Sequence, residues 1–219
     1  MERAHSIIAE WERKGNVEEC LNLGGLRLET VPVLPPTVKR LSLFCNNLTE
    51  ITFLPDSILG LDIACNRPLH ILCKLPPRLE HLYCSRTSLP ELPELPATLR
   101  HLSCRGVRLT SLPVLPPNLS IIDVAENSLQ QLPELPFALD TLICNDNQLT
   151  TMPYLPPKLI FLLDYNNPFQ MEEMRWDGGN VSEYQTDTRD QIQKWLAHTG
   201  DKDEEERKKA WDEYLAIFE

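Results

Sequence analysis

The chain has 219 residues, 42% of them hydrophobic and 24% charged, proportions that exclude wholesale disorder and a collagen-like fibre. Its net charge of −11, with 21 Lys+Arg against 32 Asp+Glu and no basic block, argues against nonspecific binding to nucleic acid or to an acidic membrane. The unusual figure is 19 Pro against 8 Gly, so the placing of the prolines decides whether they mark linkers or a fold. No run of about 18 apolar residues occurs, and Met1-Glu2-Arg3-Ala4-His5 lacks a basic-then-apolar leader, so the chain reads as soluble, with no membrane insertion. Seven cysteines between Cys20 and Cys144, with no C-x-x-C pair, suggest neither a disulfide framework nor a standard zinc site and suit a reducing cytosol.

Residues 1–19 come first. Ala4, Ile7, Ile8 and Trp11 lie at helical spacing, and Gly15 stops the pattern, so Glu2 to Lys14 is expected to form a capping helix. Residues 20–169 then repeat. Leu21, Leu41, Leu61, Leu82, Leu102, Ile122, Leu142 and Leu162 recur every 20 residues, with a single step of 21 between Leu61 and Leu82. Around each lies Leu-x-(Leu/Cys)-x-x-Asn-x-Leu followed by Leu-Pro-x-Leu-Pro-Pro; the clearest unit runs from Leu139 to residue 157.

Such units predict a repeat solenoid, because one unit cannot bury its own apolar side and stacking does. Each contributes one short strand to a parallel sheet; alternation points Leu142 and Cys144 into the core and Thr141, Ile143 and Asn145 to the inner surface. Proline fixes φ and restricts its predecessor, so Leu112-Pro113-Val114-Leu115-Pro116-Pro117 follows an extended, polyproline-like return path. Asn46, Asn66, Asn127, Asn147 and Asn167 occupy the strand exit, where an amide can bridge unpaired backbone groups. Leu26, Thr87 and Val107 replace it in three units, where looser or differently bonded turns are expected.

The period and its Leu-Pro-x-Leu-Pro-Pro stretch resemble the LPX subclass of leucine-rich repeats, as in the YopM-like and IpaH-like effectors that bacteria inject into host cells. Cys-containing units such as Leu82-Tyr83-Cys84 also resemble repeats of environmental bacteria and large DNA viruses. The resemblance implies a short helix before the repeats, and with the residues' own reading the expected fold is a leucine-rich-repeat horseshoe with a parallel concave sheet, an extended convex side and helical N- and C-terminal caps. IpaH-like effectors carry a catalytic Cys in a helical ubiquitin-ligase domain after the repeats. Residues 170–219 contain no Cys, so that activity is not carried over.

The final segment, 170–219, carries 14 Asp+Glu and 7 Lys+Arg, or −7 of the total charge. Helices are expected at Thr188 to His198 and Asp201 to Phe218, the first presenting Trp195 and the second Trp211, Tyr214 and Phe218, as a cap or as an arm that docks on a partner.

Three outward columns carry the functional expectation. Their centre holds His81, Tyr83, His101, Arg105 and Asp123; their C-terminal end is apolar, with Ile121, Ile143, Phe161, Leu163 and Tyr165. The mixture suits a protein-binding surface, and the apolar end is either covered by the C-terminal helices or is itself the partner site. A terminal aromatic face left exposed would permit dimerisation. His81 and His101 could share a metal only with a third ligand from Asp62 or Asp123, and no metal, cofactor or catalytic residue is assigned. Cys84, Cys104 and Cys144 read as small buried hydrophobes; Cys45 and Cys65 lie nearer the rim. The expectation is a non-enzymatic scaffold recognising a protein through its concave face, with an injected effector in a host cytosol as one setting. The alternative is a structural or cementing component of a large assembly such as a virion.

Overall fold

A computed structural model describes residues 1–156 and 158–169. The helices expected beyond residue 169, with Trp195, Trp211, Tyr214 and Phe218, lie outside the described residues.

Helix α1 spans Glu2–Lys14. Ala4, Ile8 and Trp11 are buried, and Ile7 packs half-buried against the same core. Trp11 Nε1 donates to the carbonyl of Glu19 at 2.9 Å, pinning the helix to the chain that enters the first repeat. Gly15 closes the helix at φ 67°, a left-handed conformation that costs glycine little, and its N–H returns to the carbonyls of Trp11 and Glu12.

The strands are β1 (Leu21–Asn22), β2 (Arg40–Ser42), β3 (Glu50–Ile51), β4 (Gly60–Asp62), β5 (Ile71–Leu72), β6 (His81–Tyr83), β7 (His101–Ser103), β8 (Ile121–Asp123), β9 (Thr141–Ile143) and β10 (Phe161–Leu163). Eight of them make one parallel sheet in the order β1-β2-β4-β6-β7-β8-β9-β10. Each repeat leucine lies opposite the next, as in Leu41↔Leu61, Leu61↔Leu82 and Leu82↔Leu102. From Leu21 to Leu142 these side chains are essentially inaccessible, as are Leu23, Leu43, Ile63, Cys84, Cys104, Val124 and Cys144 two residues on. Burying each such leucine contributes roughly 1.5–3 kcal/mol, which explains why the period is held so closely.

On the return side the path is extended, and proline has a second role there. The carbonyls of Pro35, Pro55, Pro76, Pro96, Pro116, Pro136 and Pro156 accept the N–H of the residue three places on, closing a tight turn into the next strand. Pro36, Pro77 and Pro117 sit at the second position of that turn, where a fixed φ is preorganised. A second small parallel sheet, β3 with β5, was not expected. Its cause is local: Cys73 N–H donates to the Ile51 carbonyl at 2.7 Å. Cys73 and Thr52 stand where other repeats place Pro32, Pro93, Pro113, Pro133 and Pro153, and proline has no N–H to donate.

The exit asparagines form a buried ladder. Asn46 Nδ2 donates to the carbonyls of Leu23 and Leu43 at 2.9 Å each, and its Oδ1 accepts from Leu26 and Leu28 N–H at 3.0 Å. Asn127 does the same with Cys104, Val124, Val107 and Leu109. The units lacking Asn are differently bonded, as expected. Thr87 Oγ1 donates to the Cys84 carbonyl at 2.8 Å, replacing one amide bond. Leu26 and Val107 instead turn their own N–H toward the next repeat's Asn, and the following Arg27 and Arg108 adopt positive φ of 57° and 73°. The residue before the Asn position is left-handed in every unit: Gly25, Cys45, Cys65, Arg86, Gly106, Glu126, Asp146 and Asn166.

Candidate functional site: the concave floor

The parallel register brings the three expected columns together, and the centre is a packed cluster. His81 and His101, paired in β6 and β7, meet edge-on with ring centroids 6.2 Å apart. Tyr83 closes the group, with its ring centroid 4.8 Å from that of His101 and its hydroxyl 3.4 Å from His101 Nδ1. Beside it the hydroxyls of Ser85 and Ser103 lie 2.9 Å apart, and Ser85 Oγ accepts the Arg105 N–H at 3.0 Å. Arg105 Nη2 donates to Glu126 Oε1 at 2.6 Å. Glu126 holds the guanidinium charged, against the opposing effect of burial. It was missed as a site residue, although the period reveals it: it stands 21 residues after Arg105, one place along in the adjacent rung.

The second column has a backbone role that alternation alone does not show. Asn22, Asp62 and Asp123 each accept through Oδ1 the N–H of the residue two places on, at 2.9, 3.0 and 3.1 Å, satisfying backbone that leaves the sheet. Asp123, expected to face a partner, therefore commits one oxygen to Ala125 and is buried.

The floor is also less open than alternation predicts. His101, Ser103, Ile143 and Asn145 are buried. His101 is shut in by two aromatic neighbours, and Ile143 lies between Asp123 and Leu163 in its column. Half-exposed positions include His81, Tyr83, Arg105, Ile121, Phe161 and Leu163, while Tyr165 is exposed. Burial sets the electrostatics. It lowers His101 to about 4, with His81 adding repulsion, lowers His81 as well, and raises Tyr83 to about 12 and the carboxyls of Asp62 and Asp164.

A pH dependence follows. A histidine at about 4 in the folded state and 6.5 when free is protonated preferentially in the unfolded chain. Stability therefore rises with pH between those values and is lost as pH falls through them, by about 3 kcal/mol at most from this group. His81 acts with the same sign; Asp62 and Asp164, whose raised values favour the protonated folded state, oppose it at the acid end. Urea midpoints at pH 4.5 and 7 should differ markedly in the parent chain and much less in His101→Gln. Equal pH slopes would show that this ring is not the titrating group.

Among the described residues no group of three His, Cys, Asp or Glu side chains is placed to hold a metal, so the ligand trio with Asp62 or Asp123 does not assemble. No helix among them is long and apolar enough to cross a membrane.

Short parallel rungs two or three residues long at a step of 20 residues, once 21, with a leucine ladder inside and an asparagine ladder at the strand exits, define a leucine-rich-repeat solenoid. More particularly, its repeats are like those of bacterial effector proteins. The solved structure of YopM, a leucine-rich effector protein from Yersinia pestis, is similar over 76% of this chain at 32% identity and a TM-score of 0.65. A Shigella effector leucine-rich-repeat domain is similar over 77% of both chains at 27% identity and a TM-score of 0.66. The chain covers 54% of that YopM chain, about half its length. No protein-family model matches this sequence, and no curated protein does.

Proposed function

We propose that this protein is a non-enzymatic scaffold that recognises another protein through the concave centre of its solenoid, in the setting of an injected effector. The observation that carries the reading is where the repeat is broken. Inside, the rungs repeat leucine, or isoleucine at Ile122, without a break; on the concave side His81 and Tyr83 of β6, and Arg105 two residues past β7, are half-exposed and in excess of what the rungs need to stack. His81 Nδ1 and Arg105 Nε are shielded from water yet bond to no described residue, so a partner that reorients these side chains gains hydrogen bonds the free protein lacks. Aromatic and Arg side chains beside polar groups are the composition of interface hot spots. The likeness to the YopM and Shigella repeats supports the effector setting.

The test is affinity capture from host-cell lysate with the parent chain and with His81→Ala/Tyr83→Ala/Arg105→Ala, after circular dichroism shows that the variant is folded. One dominant soluble protein should be retained by the parent and bind the variant at least ~30-fold more weakly. Unchanged binding, or incorporation of both chains into a stoichiometric particle, would overturn the concave-centre reading.

A further inference from the structure

The left-handed column at the strand exits has no packing requirement for its side chains, since Gly, Arg, Glu, Asp and Asn all occupy it. Two successive repeats nevertheless place cysteine there. Cys45 is exposed and Cys65 half-buried, both as free thiols, whereas the core cysteines Cys84, Cys104 and Cys144 are sealed. The register that pairs Ser42 with Asp62 continues past the strands: Cys45 N–H donates to Ala64 O at 2.9 Å and Cys65 N–H to Ser85 O at 2.8 Å. With φ of 53° and 58°, the two residues emerge from adjacent rungs in the same direction. Adjacent rungs lie about 4.8 Å apart, inside the Cα range of about 4.4–6.8 Å that a disulfide spans.

The neighbours complete the site. Gly25, in the preceding rung, leaves open space in the column beside Cys45. Arg86 stands in the same column of the following rung; burial pushes the Cys65 thiol up, and the positive charge of the guanidinium works against it.

We propose that Cys45 and Cys65 form a dithiol site that exchanges with small anionic disulfides of the glutathione class and closes reversibly to an intramolecular disulfide. The Cys45 thiolate attacks one sulfur of the small disulfide, forming a mixed disulfide and releasing one thiolate, which takes up a proton. The Cys65 thiolate then attacks the Cys45 sulfur, forms the Cys45–Cys65 bond and expels the second small thiol. Two protein thiols are oxidised and one small disulfide is reduced to two thiols, so electrons and protons balance. Arg86 serves twice, attracting the anionic reagent and stabilising the resolving thiolate. Side chains leaving in parallel keep their Cβ atoms farther apart than the roughly 3.5–4.5 Å a relaxed disulfide prefers, so closure draws the rungs together and the bond is readily reduced.

The experiment treats the full chain with glutathione disulfide under native conditions, quenches with acid, alkylates the remaining thiols and maps the peptides by mass. The parent should yield a Cys45–Cys65 cross-link with two hydrogens lost and no retained adduct on either residue, reversed by excess reduced glutathione. Cys65→Ser should instead hold a stable glutathione adduct on Cys45, and Arg86→Gln should slow closure by about threefold or more. An adduct on exposed Cys20 is the internal sign that the reagent was active. A lasting adduct on Cys45 of the parent, a cross-link from either residue to Cys20 or Cys73, or unmodified Cys45 beside modified Cys20 would overturn the proposal.

Discussion

Asn127→Ala is expected to lower the unfolding free energy by about 3–5 kcal/mol, among the largest losses available from one polar side chain here. Its Oδ1 accepts the N–H groups of Val107 and Leu109 at 3.1 and 3.0 Å, and its Nδ2 donates to the carbonyls of Cys104 and Val124 at 2.9 Å each. These bonds join two rungs, and alanine would leave their backbone groups in a space closed to water, at about 1–3 kcal/mol for each group that finds no substitute. Asn66→Ala should cost less, because Asn66 Oδ1 accepts a single N–H, that of Leu48 at 3.2 Å. Asn127→Asp should be at least as harmful as alanine, since it keeps the acceptor but turns an anion toward two carbonyls. Urea unfolding of the three variants decides the matter; equal losses for Asn127→Ala and Asn66→Ala would refute the bonding difference.

Leu102→Ala should cost about 3–5 kcal/mol, combining lost transfer energy with the cavity left in a close-packed interior. Leu102 is fully buried and lies between Leu82 and Ile122 in the ladder. In a solenoid each rung touches only its neighbours, so a defect in the middle weakens coupling between the two sides as well as total stability. Hydrogen exchange should show β1, β2 and β4 opening separately from β9 and β10 in the variant and together with them in the parent. Leu162→Ala, at the half-buried last rung, should cost less than half as much. A single cooperative opening in Leu102→Ala would show that coupling does not pass through this side chain.

The legible part of the fold follows from strict periods. Leucine every 20 residues must stack to leave water, and one insertion between Leu61 and Leu82 shifts the register without breaking it. The Asn ladder was equally legible, because few side chains both donate and accept at the strand exit. The N-terminal cap was readable from Ala4, Ile8 and Trp11, down to the stop at Gly15. The β3–β5 sheet was not foreseen, because it depends on Thr52 and Cys73 falling at matching places in adjacent repeats.

At the concave floor, sequence placed His81 beside His101 by register alone. It could not show that Tyr83 leans onto His101, that Asp123 turns back to Ala125, or that Ile143 is buried, since rotamers and burial depend on neighbours about twenty residues away. The 21-residue offset put Glu126 within reach of Arg105, but that the two side chains bond depends on rotamers that the offset does not fix. Sequence by itself therefore determined the repeat, the inward ladder and the exit asparagines, which obey local periods and the hydrophobic effect. Only the tertiary structure decided which concave groups are accessible, which are spent on backbone, and that of the two rim cysteines Cys45 is exposed while Cys65 is half-buried. Those properties arise from side chains of different rungs competing for the same few ångströms.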